Sequence, residues 1–149
     1  MNVGATYPLH TAAKAAGYRP REFRRLVDNG FAAMQGCDRT STGTGDKAGY
    51  SRRRILQAAT TKALTDLGVP TSRASHAAFQ YSDVENIGRA PGKLYSHGKS
   101  LLFVSADSAT VRNVFHDTSW TDITPGTSVT IVDLNRVAER VDHLLNTIS

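Results

Sequence analysis

The chain has one cysteine, Cys37, among its 149 residues, and it has no long apolar segment. A single cysteine excludes a disulfide within the chain and a zinc site built from several cysteines. A membrane-spanning helix needs about 20 consecutive apolar residues, and no run approaches that length, so we expect no membrane partner. The first ten residues also lack the basic and apolar regions of a secretory signal. These absences predict a chain that works in a reducing, cytoplasmic environment.

Motifs that carry enzymatic chemistry are missing as well. Gly98-Lys99-Ser100 resembles the end of a phosphate-binding P-loop, but Lys93 stands where the motif needs its first glycine. A His-x-x-x-His spacing is typical of metal sites, and the histidines of this chain do not show it. No Gly-x-Ser-x-Gly sequence marks a nucleophile elbow. We therefore predict that the chain is not an enzyme and that it holds no metal and no cofactor.

Positive charge is concentrated in the first half of the chain. Residues 1–70 hold 11 Lys and Arg against 5 Asp and Glu, a net charge of +6, whereas residues 71–149 have a net charge of −1. The sequence pI is about 9.7. A basic region confined to one part of a chain is typical of nucleic-acid binding. A basic surface without a ligand remains the simpler alternative.

Residues 10–30 have the layout of a helix-turn-helix. Thr11 can cap a short Ala-rich helix that stops at Gly17, because glycine readily adopts a positive φ. Pro20 suits the first turn of a second helix, which ends at Asn29-Gly30. In a helix-turn-helix the second helix enters the major groove of DNA. We therefore predict that this second helix places its arginines, Arg21, Arg24 and Arg25, in the groove.

The next two segments predict a loop or hairpin and then a longer helix. Residues 35–50 contain four glycines and few bulky apolar groups, so they form either a mobile loop or a hairpin with its tip around 43–45. Ser51 can cap a helix that ends before Gly68 and Pro70. The cations Arg52, Arg53 and Arg54 lie at its positive dipole end, where a phosphate would relieve their repulsion.

The second half predicts a small sheet and a closing helix. Residues 71–100 are polar and turn-rich, and short strands follow at Ser100–Ser105, Ala109–Phe115 and Ser128–Val132. The expected sheet is antiparallel or mixed. The final helix carries apolar residues at spacings of 3 and 4, which indicate either packing onto the chain's own sheet or a homodimer contact. This seam consists of Leu134, Val137, Val141, Leu144 and Ile148.

The first 70 residues resemble the winged helix-turn-helix of the MerR family and of related phage excisionases. The positions that carry the resemblance are Ala13, Ala16, Gly17, Pro20, Phe23, Arg24, Gly30, Phe31, Arg39, Gly49-Tyr50 and Leu67-Gly68-Val69. The resemblance covers residues 10–70, under half of the chain. It implies a bacterial or phage DNA-binding module in which Arg39 belongs to the wing. Arg25 and Leu26 replace two aromatic residues of the family pattern.

We therefore predict an α+β protein with two domains. Residues 1–70 form a winged helix-turn-helix, and residues 71–149 form a small sheet and a C-terminal helix for self-association or for contact with a protein partner. Double-stranded DNA is the expected partner, and the residues expected to contact it are Lys14, Tyr18, Arg19, Arg21, Arg24, Arg25, Arg39, Lys47, Arg52, Arg53 and Arg54.

Transcription regulation, by a homodimer, is the leading function. Excisionase-like recombination control and small-terminase-like DNA packaging are alternatives, and an antitoxin-like protein adaptor is a third.

Overall fold

The computed structural model describes residues 5–40, 47–115, 117–118 and 128–148. Within these ranges the chain forms five helices and one three-stranded sheet, which confirms the α+β class. The elements are α1 (Leu9–Ala16), α2 (Pro20–Asp28), α3 (Arg52–Asp66), α4 (Thr71–Ser82), β1 (Lys99–Val104), β2 (Ala109–Val114), β3 (Thr130–Asp133) and α5 (Leu134–Ile148).

Helices α1 and α2 are joined by a turn of three residues, Gly17, Tyr18 and Arg19. Gly17 adopts a left-handed conformation with a φ of 89°, which residues with a Cβ rarely adopt. The backbone N–H of Tyr18 donates to Ala13 O at 2.9 Å and so closes the end of α1. Arg19 is extended, and Pro20 begins α2, where a proline suits the first turn of a helix. The two predicted helices and the turn between them are thus present.

The sheet has the order β2-β1-β3, and both pairings are antiparallel. Its three strands lie close to the three that the sequence predicts. Leu102 of β1 pairs with Val111 of β2 and with Val132 of β3. These three side chains share one face of the sheet and are buried in the core, because side chains of paired residues point to the same side. The sequence prediction of a small sheet after residue 99 is confirmed.

Helix α4 differs from the prediction of a turn-rich segment after residue 70. Its buried side, which includes Ala74, Ala77 and Tyr81, packs against α3. The segment reads as polar because its apolar face consists mostly of alanines, which give a weak periodic signal. Pro70, which the sequence suggests as a stop for α3, is also the N-cap residue of α4.

Helix α5 uses its apolar seam inside the chain. Leu134 and Val141 are buried against the core, and the helix packs on α1, α3 and β1. Val137 and Leu144 are partly buried against the same core, and Ile148 is half-buried. The expectation of a dimer contact is therefore corrected for Leu134 and Val141, which face their own chain. A spacing of 3 and 4 identifies an apolar face but not the surface that covers it.

The hydrophobic core extends across residue 70, the predicted domain boundary. One cluster of buried side chains combines α1, α2 and α3 with α4, α5 and the sheet. Helix α5 packs against α1, so the last helix of the chain supports the first. Among the residues described, no helix has the length and apolar character needed to span a bilayer.

Candidate nucleic-acid interface

Helix α2 divides its residues between a buried side and a basic side. Phe23 is fully buried and Leu26 is 8% exposed, so these residues anchor the helix in the core. The opposite side exposes arginines at spacings of three and four residues, which places them on neighbouring parts of one surface. Together with the residue before the helix they form the α2 basic face, which consists of Arg19, Arg21, Arg24 and Arg25.

Two acidic residues of the same helix lie beside this face. Arg19 Nε is 3.7 Å from Glu22 Oε1, and Arg24 Nε is 4.0 Å from Asp28 Oδ2. All four side chains are more than half exposed. Exposed pairs at such spacings stabilise a helix only weakly, because water and salt screen them. A phosphate or a base edge can therefore replace these contacts at little cost.

Lys14 lies in the last turn of α1, and Tyr18 lies in the turn that leads into α2. Lys14 is exposed, whereas Tyr18 is half-buried with its ring edge-on to Phe23 at 6.4 Å. Lys62 Nζ lies 5.6 Å from the centre of the Tyr18 ring. Burial raises the pKa of the Tyr18 phenol, and the charges of Asp66 and Glu22 raise it further. The hydroxyl therefore stays protonated and can donate a hydrogen bond to a phosphate oxygen.

The base of the predicted hairpin, residues 38–40 and 47–50, lies next to the start of α1. Arg39 and Gly49 exchange two backbone hydrogen bonds of 2.7 Å, and Tyr50 exchanges two with Tyr7 at 2.8 and 2.9 Å. A Cβ on Gly49 would come within 2.5 Å of Thr6 Oγ1, so this close approach requires glycine. The expected tip of the hairpin, around Gly43–Gly45, lies outside the described residues.

Both sequence-predicted cations of the hairpin base, Arg39 and Lys47, are exposed. Arg39 Nη2 donates to Lys47 O at 2.7 Å, so the two residues belong to one local unit. Because Gly49-Tyr50 pairs with Arg39 on one side and with Tyr7 on the other, this unit is attached to the segment that leads into α1. The structure thus joins the hairpin base to the helix pair through the backbone.

The three consecutive arginines of α3 bind carboxylates of the same chain. Arg52 donates to both oxygens of Asp142 at 2.7 and 2.9 Å. Arg53 Nη2 donates to Asp83 Oδ1 at 2.8 Å. Arg54 is fully buried between Asp38 and Asp83. The expectation that Arg54 binds a phosphate is therefore corrected, and Arg52 and Arg53 also have acidic partners within the chain.

Arg54 is the centre of a buried polar network. Its Nη1 and Nη2 donate to the two oxygens of Asp83 at 2.8 and 3.0 Å, and its Nε donates to Asp38 Oδ2 at 3.1 Å. Burial alone would lower the pKa of this guanidinium, but Asp83 and Asp38 outweigh the burial and raise it. The cation is thus held charged without contact with water. Gln57 extends the network to the backbone of Phe31 and Ala33.

Sequence reasoning missed the acidic partners Asp38, Asp83 and Asp142. One signal for them is present, because three arginines at the N-terminus of α3 oppose the helix dipole and need compensating negative charge. The sequence leaves the source of that charge open, and a phosphate satisfies the requirement as well as a carboxylate does. The three aspartates lie far from α3 along the chain, and only folding brings them to it.

The chain matches no protein-family model and no curated protein. Its function is therefore inferred from the exposed and buried charges described above. Of the residues that the sequence predicts to contact DNA, the exposed ones lie on α1, on α2 with its preceding turn, and on the hairpin base. The arginines of α3 are instead tied into the fold.

Proposed function

We propose that this chain is a sequence-specific DNA-binding protein that regulates transcription. In this proposal α1 and α2 act as a helix-turn-helix, and α2 lies in the major groove of the DNA. The observation that supports it is the α2 basic face, whose four arginines are exposed while Phe23 and Leu26 anchor the opposite side of the helix. A rigid helix that presents several guanidinium groups suits a groove lined with hydrogen-bond acceptors.

Arg21, Arg24 and Arg25 are the proposed base-reading residues. A guanidinium can donate two hydrogen bonds to O6 and N7 of guanine, and such a contact discriminates against other bases by about 1–3 kcal/mol. We therefore expect G·C pairs at the centre of each recognised half-site. Lys14, Tyr18 and Arg19 would contact phosphates and set the register of α2 in the groove. Arg39 and Lys47 would contact the minor groove or flanking phosphates.

The internal ion pairs of α3 lower the number of phosphate contacts that this proposal includes. With Arg52, Arg53 and Arg54 bound to aspartates, the exposed cations that we propose for phosphate contacts are Lys14, Arg19, Arg39 and Lys47. For about four phosphate contacts, log K should fall with log salt at a slope of about −4. If the α3 arginines also reached the backbone, the slope would be steeper, about −6.

Selection of bound fragments from random duplex DNA at physiological salt tests the proposal. We expect one enriched motif, and the number of half-sites in it reports whether one copy or two copies bind. The affinity of the chain for this motif is then measured by fluorescence anisotropy. The double variant Arg24→Ala/Arg25→Ala should lose at least ~30-fold in affinity, because it removes two base contacts of about 1–3 kcal/mol each. It should also lose its preference for the motif over unrelated DNA.

The matched control is Arg112→Ala/Arg136→Ala. It removes the same charge from exposed positions on β2 and α5, away from α2. This control should change affinity only slightly and leave the preference for the motif intact. An equal loss of affinity in both double variants would mean that binding depends on net charge alone, which would contradict the proposal. The absence of any enriched motif would also contradict it.

A further inference from the structure

The carboxylate of Asp38 fastens both ends of the hairpin base. Its Oδ1 accepts hydrogen bonds from the backbone N–H and the hydroxyl of Ser51 at 2.8 and 2.6 Å. Its Oδ2 accepts from the Gln35 N–H at 2.9 Å and from Arg54 Nε at 3.1 Å. A carboxylate offers about four lone-pair sites, so this side chain is saturated with donors. It is also fully buried, which keeps water from competing for them.

The two ends of the hairpin meet at this one side chain. Arg39, the residue after Asp38, begins the first arm, and Ser51 follows Tyr50 at the end of the second arm. Asp38 therefore joins the two arms of the hairpin base in the way that a side-chain cross-link would. The positions of Arg39 and Lys47 relative to α3 depend on this closure of the base, because each residue lies in one of the two arms.

Arg54 connects the closure to the rest of the fold. Its guanidinium contacts Asp38 on one side and Asp83, the C-cap residue of α4, on the other. Arg53 reinforces the second contact, since it donates to Asp83 and to the backbone oxygen of Ser82. The hairpin base is thus held against the N-terminus of α3 and, through Arg54, against the end of α4.

We propose that Asp38 and Arg54 are positioning residues for DNA recognition, which hold Arg39 and Lys47 where they can meet the DNA backbone while α2 occupies the major groove. This inference rests on the proposed DNA-binding function. Neither side chain touches the DNA, because the guanidinium of Arg54 and the carboxylate of Asp38 are both fully buried. Their effect is to keep two exposed cations at a constant distance from the α2 basic face, so that both sets of contacts form together.

The variant Asp38→Asn tests this role with little change in shape. An amide has one acceptor atom in place of two, and its NH2 group would face the donors of Ser51 or of Arg54. We expect the first arm of the hairpin base, residues 38–40, to separate from α3 in this variant while α1 and α2 remain folded. In the free protein, hydrogen exchange at the amides of Arg39 and Gly49 should accelerate at least tenfold. The amides of Phe23 and Leu26 in α2 should exchange at the native rate.

The salt dependence of DNA binding supplies the second measurement. Removing one phosphate contact lowers the magnitude of the slope of log K against log salt by about one. In the native chain Arg39→Ala should have this effect. In the Asp38→Asn background the slope should already be lower by about two, and adding Arg39→Ala should change nothing more. The control Arg24→Ala should cause the same loss of affinity in both backgrounds.

The two measurements separate failure of this inference from failure of the proposed function. Unchanged exchange at Arg39 and Gly49 in Asp38→Asn would overturn the positioning role whether or not the chain binds DNA. Accelerated exchange without DNA binding by the native chain would remove the proposed function and, with it, the role in recognition.

Should Asp38→Asn fail to fold, Ser51→Ala provides a milder test. It removes the hydroxyl donor to Asp38, the cap of α3 and the 3.3 Å contact of Ser51 Oγ with Cys37 Sγ. The same exchange and salt measurements then decide the outcome, because Arg39→Ala should still have a smaller effect on the slope in this background. Full additivity of Ser51→Ala and Arg39→Ala would contradict the inference.

Discussion

The chain contains two groups of arginines, one on α2 and one at the N-terminus of α3, and they have opposite environments in the fold. The α2 basic face is exposed, and its acidic neighbours lie on the same helix at 3.7 and 4.0 Å. The arginines of α3 bind Asp38, Asp83 and Asp142 at distances near 3 Å, and Arg54 is completely buried. Two arginine-rich sequences thus form an exposed basic surface in one case and ion pairs within the fold in the other.

This difference shows that a cluster of cations predicts a need for negative charge but not its source. The partners of the α3 arginines are 16 to 90 residues away along the chain. Two of these partners, Asp83 and Asp142, come from the half of the chain that carries a net charge of −1. Part of the positive charge of the first half therefore binds the acidic residues of the second half. The arginines of α2 carry positive charge that faces solvent.

Removing Arg54 should produce the largest difference between the two groups. Arg54→Ala leaves Asp38 buried without its cation and leaves Asp83 with Arg53 alone. Breaking a buried ion pair from one side costs about 3–5 kcal/mol. The free energy of unfolding, measured by urea titration with circular dichroism, should fall by this amount. The exposed Arg24→Ala should change it by less than about 0.5 kcal/mol. Similar losses in the two variants would erase the distinction between the groups.

Arg52 should show an intermediate effect, because its pair with Asp142 is bidentate but partly open to water. The two side chains are 30% and 45% exposed, so solvent screens their attraction. We expect Arg52→Ala to lower the free energy of unfolding by about 1 kcal/mol. Asp142→Asn should cost less, because Arg52 also donates to Gly92 O at 2.9 Å.

Salt provides the check on this second prediction. The loss of unfolding free energy caused by Arg52→Ala should become smaller as salt is raised from about 0.05 to about 1 M, because the Debye length falls from about 14 to about 3 Å. The loss caused by Arg54→Ala should stay nearly constant over the same range, because its pairs are not exposed. A salt-independent loss at Arg52 would place it with Arg54 in the buried group.

The smallest effect should come from acid, because a carboxylate with a lowered pKa in the folded chain stays ionised in mild acid. Burial alone would raise the pKa of Asp83, but hydrogen bonds from Arg54 and Ser82 and the charges of Arg54 and Arg53 lower it below its usual value of 3.8. A carboxylate with a lower pKa in the folded chain favours folding above pH 4. This contribution is lost as the pH falls through the folded-state value.

Urea midpoints at a series of pH values from 6 to 3 test this prediction. The native chain should lose stability below about pH 4, and Asp83→Asn should flatten the curve. Asp133 gives a comparison: burial raises its pKa, but Lys99 and the backbone N–H of Arg136 lower it overall. Asp133→Asn should flatten the curve less, because its partners are exposed. If the loss of stability in acid were the same in the native chain and in both variants, these ion pairs would not be its cause.

Local signals in the sequence identified most of the fold but missed α4. Gly17 and Pro20 act through their own backbone preferences, so the end of α1 and the start of α2 could be read directly. The strands could be read from short apolar runs such as Leu101–Val104. Helix α4 was missed because its buried face consists of three alanines, two serines and one tyrosine, and such small side chains give a weak apolar signal.

For the candidate site, the sequence determined which residues carry positive charge and which helix presents the α2 basic face. Both follow from residue type and from a periodicity of 3.6, which depend only on near neighbours. Only the tertiary structure decided that the α3 arginines bind aspartates and that Leu134 and Val141 of α5 pack inside their own chain. Those outcomes depend on which distant segments meet, and that is settled by the joint packing of all the helices and the sheet around one core.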